Sequence, residues 1–271
     1  MRVKEIRCKT ILNKSGIPSV DYAINPYVGC AHKCQYCYAV FMKRFTGHME
    51  PWGEFVDVKI NAPEILVHQL KRLTGKSHIS LGTVCDPYQP LEEKYRTTRQ
   101  CLRVLGYYEH SVSILTKSDL VMRDMDLLKK IRNIEVGFTI TTIDSNISKI
   151  FEPRAPSPEK RLDAIKTLSQ NQIQTWVFIA PLLPYLTDTE DSIKHIFRKS
   201  QEMGANCLQF DTLNPYPKVW NNIIKIVKKY FPDALDFYDY YYHNKTRCEN
   251  VLREKISKMA KSYVIKASCV F

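Results

Sequence analysis

Apolar residues recur along this chain in two alternating rhythms. Short runs rich in β-branched residues read as strands: Asp21–Asn25, His78–Thr83, Ser111–Thr116, Glu135–Thr141, Gln174–Ala180 and Asn206–Asp211. Between them, apolar positions fall at helical spacing. Pro63–Leu73 carries Ile65, Leu66, Leu70 and Leu73 on one face, with Pro63 suited to a first turn. Arg96–Leu105, Asp124–Ile131, Pro158–Leu168, Thr189–Met203 and Val219–Tyr230 follow the same rhythm. Six strands, each followed by a helix, imply a parallel α/β sheet. A closed eight-stranded barrel would need two more units, which the pattern does not supply. The expectation is a six-unit open barrel or a doubly wound sheet, with functional groups at the C-terminal ends of the strands.

The 271 residues are 44% hydrophobic and 11% aromatic, enough for a large core. That excludes a disordered, collagen-like or coiled-coil chain. No repeat or Gly/Ser linker marks a boundary, so one domain over 1–271 is expected. Its barrel core would span about 20–230, with an aromatic and basic cap over about 231–271. No signal-like segment is visible and no apolar run nears the ~20 residues of a membrane helix. A cytoplasmic protein without a membrane partner is expected.

The net charge of +12 is uneven. Residues 1–30 carry +3 and residues 241–271 carry +5, leaving +4 for everything between. Basic ends suit nucleic acid or another anionic partner, and equally a solvated surface. The aromatic run Phe237–Tyr242 beside the basic tail could stack bases, or could cover the open side of the barrel.

The strongest chemical signal is the run Cys30-Ala-His-Lys-Cys34-Gln-Tyr-Cys37, directly after the first strand. Core cysteines scatter, whereas these three lie within eight residues of a polar loop. Cys34 and Cys37 could form a redox dithiol or half of a zinc site. Zinc needs a fourth ligand; His32 is near, but no second ligand pair follows. Three thiolates without a fourth suit a [4Fe–4S] cluster with one iron left open. The other cysteines, Cys8, Cys101, Cys207, Cys248 and Cys269, lack ligand spacing.

The Cys-x3-Cys-x-(aromatic)-Cys spacing, with Tyr36 as the aromatic, resembles the signature of the radical S-adenosylmethionine (SAM) superfamily. The chain is similar to the spore photoproduct lyase-like branch over roughly residues 20–220. The likeness rests on Asn25-Pro-Tyr-Val-Gly-Cys30, Gly82-Thr-Val-Cys-Asp-Pro-Tyr-Gln-Pro90, Thr116-Lys-Ser118, Phe151-Glu-Pro-Arg-Ala-Pro156 and Ala180-Pro-Leu-Leu-Pro184. It implies a partial (β/α)6 TIM-type barrel and two cofactors, a [4Fe–4S] cluster on Cys30, Cys34 and Cys37, and SAM on the open iron. It further implies reductive cleavage of SAM to a 5′-deoxyadenosyl radical that takes hydrogen from a substrate. The prototype of the branch repairs DNA, so nucleic acid is a candidate partner, beside a flavodoxin- or ferredoxin-like reductant.

The likeness also assigns residues. Lys117 matches a lysine that contacts the methionine moiety of SAM in the prototype. The Thr139–Thr142 run, with Thr139 and Thr141, corresponds to a serine region that also contacts SAM. Tyr36 and Tyr38 flank the last cysteine; Tyr36 is expected against the adenine, and Tyr38 either contacts the cofactor or is ordinary packing. Thr83 and Asp86, at the end of the second strand, are expected to line the cofactor, although Asp-Pro-Tyr-Gln-Pro equally reads as a rigid turn. Glu152 and Arg161 read as a structural ion pair. Cys85 departs from the family: aligned on Asp86, the prototype's hydrogen-donating cysteine falls at Thr83. Cys85 is thus either a displaced hydrogen donor or a buried free cysteine, and photoproduct repair itself is put in doubt. Two alternatives of other classes remain at this point: a nucleic-acid-binding protein with a structural or redox-sensing cluster, and a zinc-bound module.

Overall fold

The computed structural model describes all 271 residues. In chain order its elements are β1 (Arg2–Ile6), β2 (Leu12–Lys14), β3 (Tyr22–Ile24), β4 (Tyr27–Val28), β5 (Phe55–Lys59), α1 (Ala62–Leu70), β6 (His78–Leu81), α2 (Leu91–Tyr95) and α3 (Thr97–Leu105). There follow β7 (Ser111–Thr116), α4 (Met125–Leu128), β8 (Asn133–Thr139), α5 (Ser145–Phe151), α6 (Pro158–Gln170), β9 (Gln174–Leu182), α7 (Glu190–Glu202), β10 (Cys207–Thr212), α8 (Pro217–Tyr230), α9 (Leu235–Ala260) and β11 (Lys266–Cys269).

The main sheet runs β11-β10-β9-β8-β7-β6-β3-β2. All neighbours are parallel except β2, which pairs antiparallel with β3. The six expected strands are β3 and β6 to β10, in sequence order and side by side. Two strands add to them: β2 on one edge, and β11 as a seventh parallel strand on the other. No pairing joins β2 to β11, so the strand order is that of an open sheet.

Alternation along the strands explains the layering. Val112, Ile114, Val136, Phe138, Val177, Ile179, Leu208 and Phe210 are buried in one core with Leu162, Ile165 and Leu168 of α6 and Ile193, Ile196 and Phe197 of α7. Side-chain oxygens start the helices: Asp144 caps α5, Ser157 caps α6 and Thr189 caps α7. Pro158 and Pro217 sit in first turns, where a missing N–H costs nothing.

A second sheet, β1-β5-β4, stands beside the first. It pairs β5 parallel with β1 and antiparallel with β4. The basic N-terminal segment is therefore partly structural. Beyond α8, the aromatic stretch begins the 26-residue α9, which leads to β11. Tyr238 and Tyr241 are buried against Val219 and Ile223 of α8, while Phe237, Tyr240 and Tyr242 are exposed. No helix is long and apolar enough to cross a membrane.

Candidate active site

The cysteine loop begins where β4 ends, next to the C-terminal ends of β3 and β6. Gly29 opens it with φ +87°, and a Cβ there would lie 2.4 Å from the Phe55 carbonyl oxygen of β5. Only glycine tolerates both the conformation and the approach. Fully buried Gln89 grips both flanks of Cys30: its Oε1 accepts from the Ala31 N–H (2.9 Å) and its Nε2 donates to the Gly29 carbonyl (3.2 Å). The Gln35 N–H donates to the Phe151 carbonyl at 2.8 Å. Asn222 of α8 donates to the carbonyl and side-chain oxygens of Gln35 at 2.8 and 3.0 Å. Lys33 and Arg154 share Glu54 at 2.5 and 2.8 Å.

All nine cysteines are free. Burial pushes the thiols of Cys30, Cys34 and Cys37 up, Cys34 to about 12, with the charge of Lys117 working against the shift at Cys34 and Cys37. His32 turns away from them. Its Nδ1 lies 3.3 Å from the Arg154 carbonyl oxygen and its Nε2 lies 3.2 Å from Asp86. No three His, Cys, Asp or Glu side chains surround a single-ion position. The loop offers three free thiols, a number that suits a cluster bound through three of its irons better than a four-coordinate zinc.

Asp86 locks the turn after β6. Its carboxylate accepts from the Thr116 hydroxyl (2.6 Å), the Lys117 N–H (2.7 Å) and the Tyr88 N–H (2.9 Å). Burial acts to raise its pKa, but His32 and the bonds from Thr116 and Lys117 outweigh it and hold it at about 2. These contacts make the rigid turn that the two prolines foreshadow.

Lys117 is held by its own backbone and leaves its ammonium 5.6 Å from the centroid of the Tyr36 ring. That ammonium has no ion pair. Burial works against its charge, yet Cys34 and Glu152 prevail and its pKa is raised. The Tyr36 phenol donates to Glu152 and lies 3.0 Å from the Thr141 hydroxyl. Glu152 in turn pairs with Arg161, whose Nη1 donates to the Thr139 carbonyl at 2.8 Å. Thr141 donates to the Ala180 carbonyl at 2.9 Å. Lys117, Tyr36, Thr139 and Thr141 thus belong to one network, centred on an ion pair that the sequence reading treated as separate.

The remaining expected residues make their contacts outside that network. Tyr38 donates to the Thr83 carbonyl, and the Thr83 hydroxyl accepts from Asn25 at 2.9 Å. Cys85 is buried with Tyr27, Ala31, Val56 and Val58, and its thiol lies 3.3 Å from the Tyr27 carbonyl oxygen. Burial raises that thiol to about 12. Sequence reasoning passed over Asn25 and Asn222. Asn25 sits in a quoted motif; nothing local marks Asn222.

Fold and loop together define a class, a parallel α/β sheet presenting three thiols and an unpaired cation at its C-terminal edge. Residues 24–198 match the model of the Radical SAM superfamily, and the chain belongs to that superfamily. It is therefore an enzyme of a family that couples an iron–sulfur cluster to SAM. An uncharacterised protein of Methanocaldococcus jannaschii is 36% identical over 271 residues, covering 100% of this chain and 98% of that one. Spore photoproduct lyase of Clostridium acetobutylicum is 20% identical over 201 residues, covering 73% of this chain and 57% of that one. A solved spore photoproduct lyase with bound AdoMet and dinucleoside spore photoproduct superposes with TM-score 0.72 at 15% identity, over 99% of this chain and 81% of that chain. The fold is that of spore photoproduct lyase.

Proposed function

We propose that this enzyme binds a [4Fe–4S] cluster through Cys30, Cys34 and Cys37, binds SAM beside Lys117 and Tyr36, and abstracts hydrogen from a substrate held at the mouth of the sheet. When bound, the reduced cluster would give one electron to SAM, which would part into methionine and the hydrogen-abstracting 5′-deoxyadenosyl radical. The observation that carries the reading is the unpaired ammonium of Lys117, held over Tyr36 and close enough to Cys34 to oppose its upward shift. A half-buried cation without a partner is poised for an anionic ligand, and the carboxylate of SAM is such an anion.

The chain's own residues bind and orient. Gln89 fixes the backbone around Cys30, and Asp86 fixes the Lys117 backbone. Glu152 fixes the Tyr36 phenol, with Arg161 balancing its charge. Thr139 and Thr141 take part through those contacts. Asp86 thus stands with Lys117, and Tyr38 and Thr83 are tied to each other and to Asn25. Cys85 has no part in this reading, because its thiol faces the Tyr27 carbonyl inside a small core.

Nucleic acid is the favoured substrate class. Phe237, Tyr240 and Tyr242 are exposed on α9, and Tyr185 packs at a tilt against Phe237 with centroids 4.7 Å apart. The basic C-terminal segment adjoins them, a combination suited to bases and phosphates. A flavodoxin- or ferredoxin-like protein is the proposed source of the electron, for which dithionite substitutes in the test.

The test is anaerobic reconstitution with iron and sulfide, then dithionite and SAM, with 5′-deoxyadenosine measured by chromatography. Product is expected only when all components are present. A protein that holds the cluster yet forms no 5′-deoxyadenosine would overturn the reading. A cluster spectrum unmoved by SAM would point instead to a structural or sensing role.

A further inference from the structure

The face of the main sheet turned away from α6 and α7 is not built like the outer one. Outward positions are apolar and buried, whereas the alternate positions on β9 and β10 are Trp176, Phe178, Cys207, Gln209 and Asp211, all half-buried. The interior of a filled barrel is packed with branched aliphatics, so this polar, half-open face lines a hollow. Trp176 forms its floor. The indole lies against Gly137 of β8, where a Cβ would approach it to 2.3 Å, so its place depends on that glycine. Phe178 stands one layer above, with ring centroids 6.0 Å apart.

Three polar groups on this wall lack side-chain partners. The Trp176 Nε1 is buried without a hydrogen bond. The Gln209 amide, paired across the strands with Phe178, makes none. The Asp211 carboxylate accepts only from the Thr212 N–H, at 2.8 Å. The nearby Lys245 does not neutralise it, being paired with Glu249. The pairing of β9 with β10 also shifts register between Phe210 and Thr212, at the level of Asp211. Such irregularities re-aim side chains beside active sites. Asp211 stands at the C-terminal end of β10, the edge of the sheet at which a fold of this kind gathers its functional groups. No lysine or arginine stands among the inward positions of β6 to β10.

We infer that Trp176, Phe178, Gln209 and Asp211 form the substrate-recognition wall, and that it selects a flat apolar group bearing a hydrogen-bond donor or a positive charge and rejects an anionic one. The inference deepens the proposed function and rests on it for the meaning of the hollow. The flat face lies against Phe178, with the indole as the floor beneath it, and its donors meet Gln209 at that level and Asp211 two residues further along β10. In a polymeric substrate the phosphates or carboxylates stay outside, on the basic rim.

The test uses reconstituted protein with SAM and three probes of one ring size: benzylamine, benzyl alcohol and phenylacetate. Equilibrium dialysis measures their retention without requiring turnover. Benzylamine and benzyl alcohol should be retained at least about tenfold more tightly than phenylacetate, an electrostatic preference typical of a partly buried charge. Asp211→Asn keeps an oxygen for the Thr212 N–H and should abolish the discrimination against phenylacetate. Gln209→Lys adds a cation to the same wall and should reverse the order. Equal retention of all three probes, retention of none, or an order untouched by both substitutions would overturn the inference. The 5′-deoxyadenosine assay on the same preparation reads the proposed function separately, so the two can fail independently.

Discussion

Arg161 and Glu152 form an ion pair whose side chains are only 1% and 2% exposed. The pair ties the loop after α5 to the cysteine loop, because Glu152 also accepts from the Tyr36 phenol. Removing one partner strands the other charge. Glu152→Gln should destabilise the protein by about 3–5 kcal/mol, read by urea unfolding. The double variant Glu152→Gln, Arg161→Met should cost less than the sum of the single ones. A purely additive result would show that the two charges do not interact.

Lys117→Met keeps the stem and removes the charge. SAM affinity should fall by about 10–100-fold, the loss expected for one charge-assisted contact. Iron and sulfide content should stay at the level of the unaltered protein. Isothermal titration of SAM into both reconstituted proteins measures the difference, and an unchanged affinity would remove Lys117 from the site.

Cysteine substitutions should divide into two groups. Cys30→Ala, Cys34→Ala and Cys37→Ala should each reduce bound iron and sulfide to background. Cys101→Ala, within the buried face of α3, should retain both. Iron and sulfide assays after anaerobic reconstitution give the comparison.

Glu54 offers a pH test. Hydrogen bonds from Lys33 and Arg154 hold its carboxyl at about 2, well below the usual carboxylate range. A depressed folded pKa gives stability that is full above the unfolded value, near 4.5, and fades as pH falls toward about 2. The melting temperature of Glu54→Gln should therefore lie below that of the unaltered protein at pH 6. The gap should close between about pH 4.5 and pH 2. A gap independent of pH would assign the loss to packing.

The six central strands were legible because each buries one apolar face against helices, which writes a regular pattern into the sequence. Ser111–Thr116 matches residue for residue, and the other five agree to within two residues at each end. The second sheet left less trace. β1 is exposed nearly throughout, and β5 is a single short run, Phe55-Val-Asp-Val-Lys59, whose buried Asp57 breaks the apolar pattern. In α9 the helical period is masked, because exposed Phe237, Tyr240 and Tyr242 are as aromatic as buried Tyr238 and Tyr241, and a kink at Asn244 resets the face. β11 alternates without a strong apolar side.

The cysteines of the site were visible in their spacing alone. Their supports were not. Gln89 acts on residues about sixty positions away, and Glu152 reaches Tyr36 from 116 positions away. Pairings at that distance follow from the fold and leave no local mark.

Asn222 holds Gln35 across 187 positions of sequence, and that span sets an order of events during synthesis. The loop that carries Cys34 is made early, but its full set of restraints exists only after α8 has been translated and docked. Until then its thiols belong to an unfixed segment, open to oxidation and to stray metals. On the proposed ligand assignment, faithful cluster insertion would be a late step, and a chain truncated before α8 would lack the Asn222 restraint on the loop even with all three cysteines present.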